Sequence, residues 1–337
     1  MKVLVTGVAG FLGSHVADAM LALGHEVVGV DNMIGGDLDN VPYRVGLYKI
    51  DCQDLVKPAW HFVMEGVDVV YHCAALAYEG LSVFSPHVVV ESIVGASTAV
   101  FSAAVRAGVR RIVHCSSMAR YGAIATPYRE YMPCWPRDPY GIAKVAAEHI
   151  LRNLCSVHGT EFVIAVPHNI IGPRQKYDDP FRNVASIMMN RMLQGKQPII
   201  YGDGLQERCF SFIADCIDCL VKMGTQDDVQ CEVINIGPDE EPITVTDLAA
   251  EIAMATKFRL PLCPIYMPGR PQEVKVALCS SDKARALLGY KTKTTLHDGL
   301  KEMVQAMVAR GTRPFRYHLP IEIVSDKTPK TWTDRLF

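Results

Sequence analysis

The sequence predicts an α/β protein whose core is a doubly wound parallel sheet, followed by a smaller lobe. Three observations predict it. Continuously apolar strands alternate with helical patterns over the first 170 or so of 337 residues, the signature of a parallel sheet covered by helices on both faces. A glycine-rich turn directly follows the first strand. Past residue 170, Pro173, Pro180, Pro198, Pro238, Pro242, Pro261, Pro264, Pro268 and Pro271 punctuate shorter elements, which marks a change of architecture.

The elements follow in order. Lys2–Thr6 reads as an apolar strand and Phe11–Leu23 as the first helix. Gly24-His25 turns the chain into a second strand, Glu26–Val30. Strands are expected at Val45–Ile50 and Asp68–Cys73, with a helix at Asp54–Met64 between them. Pro86–Ala107 reads as a long helix, Arg110–Cys115 as a buried strand, Tyr140–His158 as a helix and Glu161–Val166 as a strand. Further helices are expected at Phe181–Leu193, Phe212–Met223, Val245–Ala255, Asp282–Leu288 and Thr295–Ala309. These patterns divide the chain into a Rossmann-type domain at 1–170, a region at 171–312 that crosses back to the first domain but mainly forms a substrate-binding lobe, and a tail at 313–337. The tail shows little periodicity. Its Trp332 and Phe337 predict packing along the body or a partner subunit, and no chemistry is assigned to it.

Apolar residues make up 49% and charged residues 21%, with a net charge of −2. This is an ordinary globular balance without the basic footprint of a nucleic-acid or anionic-membrane binder. No uncharged run reaches the ~18 to 20 residues that span a bilayer, and no charged-then-apolar leader precedes the first strand. The 11 cysteines are scattered, and an odd number without an export signal predicts reduced thiols in the cytoplasm. Cys216-x-x-Cys219 has a ligand-like spacing but lies in a helical pattern with no second pair at zinc-finger distance. Buried thiols are therefore expected there, and no metal.

Thr6-Gly7-Val8-Ala9-Gly10-Phe11-Leu12-Gly13 joins the first strand to the first helix. Glycines let the backbone approach a pyrophosphate, and free N–H groups at a helix start attract its charge. The spacing is G-x-x-G-x-x-G, a departure from the usual G-x-G-x-x-G fingerprint. Asp31 ends the second strand 18 residues past Gly13, placed to accept hydrogen bonds from ribose hydroxyls and to repel a 2′-phosphate. The expected cofactor is therefore NAD and not NADP.

Tyr140-Gly141-Ile142-Ala143-Lys144 puts a phenol and an amine at i and i+4, neighbours on one helical face. A tyrosine with its ordinary pKa near ~10 is a poor base at neutral pH. A lysine cation one turn away, together with a positively charged nicotinamide ring, would favour the phenolate. Upstream, Cys115-Ser116-Ser117 closes a strand whose carboxyl end faces the same cleft, where Ser117 can bond a substrate oxygen that alternates between hydroxyl and carbonyl.

In combination, the G-x-x-G-x-x-G turn, Asp31, His72-x-Ala74-Ala75, Ser117 and Tyr140-x-x-x-Lys144 resemble the extended short-chain dehydrogenase/reductase family. The similarity to its sugar-nucleotide epimerase and dehydratase branch runs over nearly the whole chain. Asn169-x-x-Gly172-Pro173 resembles the segment that supplies an asparagine to a substrate diphosphate. Tyr201-Gly202-Asp203-Gly204-x-Gln206-x-Arg208 resembles the loop that covers the base and brings an arginine to the diphosphate, and Arg270-x-x-Glu273 resembles the second arginine site. Two guanidiniums suit a diphosphate in a protein of slightly negative charge. The resemblance implies cofactor contacts from Gly7, Gly10, Phe11, Leu12, Gly13, Asp31, Asn32, Asp51, Cys52, Ala74, Ala75, Ala77, Tyr140, Lys144 and Pro167. It implies substrate contacts from Ser117, Asn169, Tyr201, Arg208, Arg270 and Ala277, and a homodimer joined through helices 86–107 and 140–158.

The resembled 4,6-dehydratases place an acid and a carboxylate base directly after the catalytic hydroxyl residue; here those positions are Met118 and Ala119. The decarboxylase branch expects a carboxylate there, and base-catalysed 3,5-epimerases expect a cysteine at position 119. The resemblance thus implies NAD-dependent C4 epimerisation of a nucleotide-diphosphate hexose, UDP-linked, through a transient 4-keto sugar, with N-acetylated hexoses and uronic acids both open. Another dehydratase, a decarboxylase or a 4-ketoreductase on the same scaffold is the alternative, and a non-catalytic NAD-binding regulator is the alternative from a different class. Four positions depart from the family pattern: Ser92 replaces an asparagine, Val166 and Ile171 replace an arginine and a tyrosine, and Cys209 replaces an acidic residue. Ala277 resembles a gate that limits C2 substituents, and its small size would admit N-acetyl groups.

Overall fold

The computed structural model describes residues 1–337. Seven strands form the central sheet: β1 (Lys2–Thr6), β2 (Glu26–Val30), β3 (Gly46–Tyr48), β4 (Val69–His72), β5 (Arg111–Cys115), β6 (Glu161–Pro167) and β7 (Glu232–Ile236). Their order is β7-β6-β5-β4-β1-β2-β3, and every pairing is parallel. The order reverses between β1 and β4. That switch point opens a crevice beyond the carboxyl ends of the strands, the place where ligands bind on such sheets.

The main helices are α1 (Phe11–Ala22), α2 (Pro86–Arg106), α3 (Pro139–His158), α4 (Val184–Leu193), α5 (Ile213–Thr225), α6 (Val245–Thr256), α7 (Asp282–Leu288) and α8 (Leu296–Arg310). Side chains alternate across the sheet with a period of two. Leu4, Val70, Ile112 and Ile164 face a layer built by Val100 and Phe101 of α2 and by Ala147 and Leu151 of α3. Val3, Val5, Val69, Val113 and Val163 face the opposite layer, with Val16 and Met20 of α1 and Leu220 and Met223 of α5. Cys216 and Cys219 lie in this second layer as buried thiols. By length and composition α2 could cross a bilayer, but here half of its apolar stretch is buried inside the protein.

Local chemistry explains where the elements begin and end. Asp138 accepts from the Gly141 N–H at 2.8 Å and caps α3, with Pro139 in its first turn, while Gly159 ends it at φ +75°. Thr244 caps α6 and Thr295 caps α8, each accepting from an aspartate N–H three residues on. Three expected elements differ. Asp54–Met64 is not one helix but two 3₁₀ turns, Cys52–Val56 and Pro58–Met64, because the residue before a proline is driven extended and Lys57 takes φ −74°, ψ 137°. The helix expected from Phe181 starts at Val184, since Asn183 caps it by accepting from the Ala185 N–H at 3.0 Å. The strand expected at Val45–Ile50 keeps only Gly46–Tyr48.

Beyond β6 the chain alternates between the sheet and a smaller layer. It returns to the sheet through α5 and β7, while α4, α6 and α8 pack together through Met188, Met189, Leu248, Ile252, Leu300 and Met303. Glu207–Arg208 pairs with Ile243–Thr244 on one side and Val276–Ala277 on the other, which holds Arg208 at the rim of the crevice. The tail folds back over it. Trp332 is 2% exposed, edges onto Phe84 and Phe181, and donates its indole N–H to the Pro180 carbonyl at 3.1 Å.

Candidate active site

A cavity of about 480 Å³ occupies the crevice, running from the start of α1 to the small lobe. At one end the backbone is bare by necessity. Gly7 has φ +70°, and a Cβ there would fall 2.9 Å from the Ala74 Cα; one on Gly13 would fall 2.2 Å from the Gly7 carbonyl oxygen. No side chain caps α1 at Gly10, so the first N–H groups of the helix are left to the cavity. Asp31 accepts from the Ala9 N–H at 2.9 Å and the Met33 N–H at 2.8 Å, and burial raises its carboxyl above the usual range despite these bonds. Asn32 donates to Asp51 at 2.7 Å, and Asp51 in turn caps the Cys52 turn. Bare backbone, an uncapped helix start and a fixed carboxylate beside them fit a dinucleotide.

All the residues expected to hold the cofactor line this one cavity: Gly7, Gly10, Phe11, Leu12, Gly13, Asp31, Asn32, Asp51, Cys52, Ala74, Ala75, Ala77, Tyr140, Lys144 and Pro167. So do Ser117, Asn169, Tyr201, Arg208 and Arg270. Ala277 does not. It lies in a smaller adjoining cavity of about 100 Å³, whose wall it shares with Ser117, Asn169 and Arg208.

Tyr140 and Lys144 project from the first turns of α3 toward the end of β5. Lys144 donates to the Cys115 carbonyl at 2.8 Å, and burial lowers its ammonium to about 8. Burial pushes the Tyr140 phenol up to about 12, against a hydrogen-bonding contact with Ser117 that pulls it down. No hydrogen bond joins the lysine to the phenol one turn away; its ammonium is tied to the strand end. Ser117 itself accepts from the Ala119 N–H at 3.2 Å, opening a turn at Met118–Arg120. Behind the site, His72 lies between the hydroxyls of Thr6 at 2.7 Å and Ser97 at 2.9 Å, a buried bridge from β1 and β4 to α2.

At the other end, Asn169 takes φ +44° and donates its amide to the Cys209 carbonyl at 2.9 Å. Arg208 donates to the Val274 carbonyl at 2.6 Å and to the Glu207 and Lys275 carbonyls. Arg270 pairs with Glu273 at 2.9 Å and lies 4.9 Å over the Tyr201 ring, while the Tyr201 hydroxyl bonds Thr331 of the tail. Of the four departures, Ser92 lines the cavity and bonds the Val89 carbonyl of its own helix. Val166 and Ile171 are core residues, and Cys209 is buried with its thiol on the Glu240 carbonyl.

Several lining residues escaped the sequence reading. Arg182 and Asn183 precede α4, and Asn183 as a helix cap was a readable signal. Glu79, Trp332 and Phe337 also face the cavity, and nothing in their local sequence announces it.

Residues 3–237 match the NAD dependent epimerase/dehydratase family. The chain is 32% identical over 316 residues to a UDP-glucose 4-epimerase of Mycolicibacterium smegmatis, covering 90% of this chain and 98% of that one. Among solved structures it resembles the UDP-glucose 4-epimerase of Thermotoga maritima with UDP-glucose, at 29% identity and a TM-score of 0.85, covering 92% of this chain and 99% of the other. It also resembles the UDP-glucuronic acid 4-epimerase of Bacillus cereus in complex with UDP-glucuronic acid and NAD, at 26% identity and a TM-score of 0.83, covering 92% and 100%.

Proposed function

Because this chain belongs to the NAD dependent epimerase/dehydratase family, and so is an enzyme that uses NAD, we propose that it epimerises a UDP-linked hexose at C4. The observation that carries this reading is the make-up of the turn that follows Ser117, beside the Tyr140 phenol. Ser117 and Lys144 are present, while Met118 and Ala119, in the turn where elimination or decarboxylation would need proton-transfer groups, are apolar. Oxidation and re-reduction at one carbon is the chemistry that needs no more than this.

The glycine cradle from Gly7 to Gly13 would hold the pyrophosphate of NAD, Asp31 its adenosine ribose, and Tyr140 and Lys144 the nicotinamide half. When bound, NAD accepts and returns a hydride at the sugar carbon. Tyr140 would take the proton of the 4-hydroxyl and give it back; burial holds its phenol high, and the positive charge that NAD supplies when bound, with the Lys144 ammonium, would bring it down. Ser117 bonds the same oxygen as hydroxyl and as carbonyl, which keeps it near the phenol through both halves of the reaction. Between them the 4-keto sugar swings about its diphosphate link and offers its other face. Asn169, Arg208, Arg270 and the start of α4 hold that diphosphate, and Tyr201 lies with the base. Residues 171–312 would then supply most of the substrate's contacts, and residues 1–170 those of the cofactor.

A homodimer through α2 and α3 belongs to the same proposal. The two helices lie side by side, and α3 carries exposed Ile142 and Val157. Purified protein incubated with UDP-glucose or UDP-N-acetylglucosamine, without added reductant, is expected to yield the C4 epimer by proton NMR. Recovery of unchanged sugar only, or of a stable keto product, overturns the reading.

A further inference from the structure

We infer that Glu79 selects the class of sugar this cavity accepts: its carboxylate receives a hydrogen bond from a hydroxyl of a neutral hexosyl group and turns away a hexuronic acid. This deepens the C4-epimerase reading and rests on it. Glu79 opens the short helix Glu79–Ser82 that follows the crevice loop after β4. Its side chain is open to the cavity, and it forms part of the wall of both the main cavity and the smaller one, as Ser117 does. Pro167, Asn169 and Arg208 share that junction, but the Glu79 charge also reaches the Tyr140 phenol, which puts Glu79 on the Ser117 and Tyr140 side of it, where the sugar would lie.

Glu79 also lacks a partner of its own. The one hydrogen bond to this residue from a side chain comes from Ser82 and goes to its main-chain carbonyl, so the carboxylate oxygens are left for a ligand. The cations near it are engaged elsewhere. Arg208 is spread over three carbonyls. Arg270 pairs with Glu273 and lies against Gly80, where a Cβ would come 3.0 Å from its Nη1. In the proposed complex both also face the diphosphate. Asp138, the cap of α3, adds a second negative charge on the same side. A sugar hydroxyl is a donor and suits this setting. A 6-carboxylate has no donor when ionised and would meet two carboxylates in a cavity from which the bound sugar has displaced water, where like charges are costly. Desolvation by the cavity walls, followed by the Asp138 charge, pushes the Glu79 carboxyl up to about 7, so slightly alkaline buffer keeps it ionised. The competing site for a uronate is Arg182, which lies 5.0 Å over the Tyr78 ring and lines the same cavity.

The test is calorimetric titration of the NAD-loaded protein at about pH 8 with UDP, UDP-glucose and UDP-glucuronate, on wild type, Glu79→Gln and Glu79→Asp. Wild type is expected to prefer UDP-glucose over UDP-glucuronate by on the order of 100-fold. Glu79→Gln should shrink that preference at least ~10-fold while leaving the UDP affinity in place, and Glu79→Asp should keep most of it. A wild-type ratio near one, or a ratio unmoved by Glu79→Gln, overturns the assignment; the first of these would place the uronate on Arg182. The two readings fail separately. No C4 epimer from any UDP-sugar, with the binding preference intact, sinks the epimerase reading alone, and epimerisation with an unmoved ratio sinks Glu79 alone.

Discussion

Lys144 Nζ stands 5.9 Å from the centre of the Tyr140 ring, one turn further along α3. It is held there by the Cys115 carbonyl, 2.8 Å away at the end of β5. The ammonium is thus anchored to the sheet, with the cavity open to both groups. Removing either group has a distinct consequence.

Tyr140→Phe deletes one oxygen, and with it the contact to Ser117, from a side chain only 6% exposed. Turnover should fall by about 10²–10⁴-fold, with NAD still bound and the melting temperature little changed. Steady-state rates measured beside a thermal melt decide it. Near wild-type turnover would take Tyr140 out of the chemistry.

Lys144→Met tests the buried cation through pH. Burial lowers Lys144 from 10.5 to about 8, so between those values the unfolded chain binds more protons than the folded one. Stability from this group therefore rises with pH across that window, and below it the buried charge is a constant cost. Wild type should gain on the methionine variant from pH 8 to 10.5 in urea unfolding. A difference that stays flat across the series would show that Lys144 does not titrate there.

Gly13→Ala places a methyl 2.2 Å from the Gly7 carbonyl oxygen, inside the cradle. The backbone must move, at a cost of about 1–3 kcal/mol or more, and dinucleotide retention should be lost. Gly46→Ala, with nothing within 4 Å of the added carbon, is the control and should stay within about 0.5 kcal/mol. Bound dinucleotide released on denaturation, quantified by absorbance, gives the readout; full retention in Gly13→Ala would remove the cradle from cofactor binding.

Asp31→Ala removes the acceptor of the Ala9 and Met33 N–H groups along with the charge that disfavours a 2′-phosphate. NADH affinity should drop by about tenfold or more, as for hydrogen bonds to a charged group worth ~1.5–3 kcal/mol. The handicap of NADPH should shrink at the same time. Fluorescence titrations with both nucleotides measure the ratio, and an unaltered preference would assign NAD selectivity to another residue.

Trp332→Ala opens a void between Phe84 and Phe181. A loss of about 3–5 kcal/mol is expected, together with weaker sugar-nucleotide binding, since Phe181 leads into Arg182 and Asn183 at the cavity wall. Equilibrium unfolding and UDP-sugar titration check the two effects. A stable variant would mean that the tail merely rests on the body.

What could be read from the residues alone was local. The apolar runs of β1, β2 and β4 to β6, the glycine spacing from Gly7 to Gly13, Asp31 at the end of β2, and the Tyr140–Lys144 step along one helix are each contained within a few consecutive residues, so period, turn chemistry and spacing expose them. Where a local rule competed with periodicity, the rule won: Pro58 broke the Asp54–Met64 helix in two, and the Asn183 cap delayed the start of α4. The tertiary structure alone decided which distant groups meet. The bond from Trp332 to Pro180 joins residues 152 apart, and the placement of Glu79 between two cavities depends on loops brought together from β4, β5 and the small lobe. Such contacts leave no periodic trace, because closing a long loop constrains where a side chain arrives and not which residues precede it. The glycine cradle, Asp31 and the Ser117, Tyr140 and Lys144 set are written along the chain, but which other groups share their cavity belongs to the space the folded chain encloses.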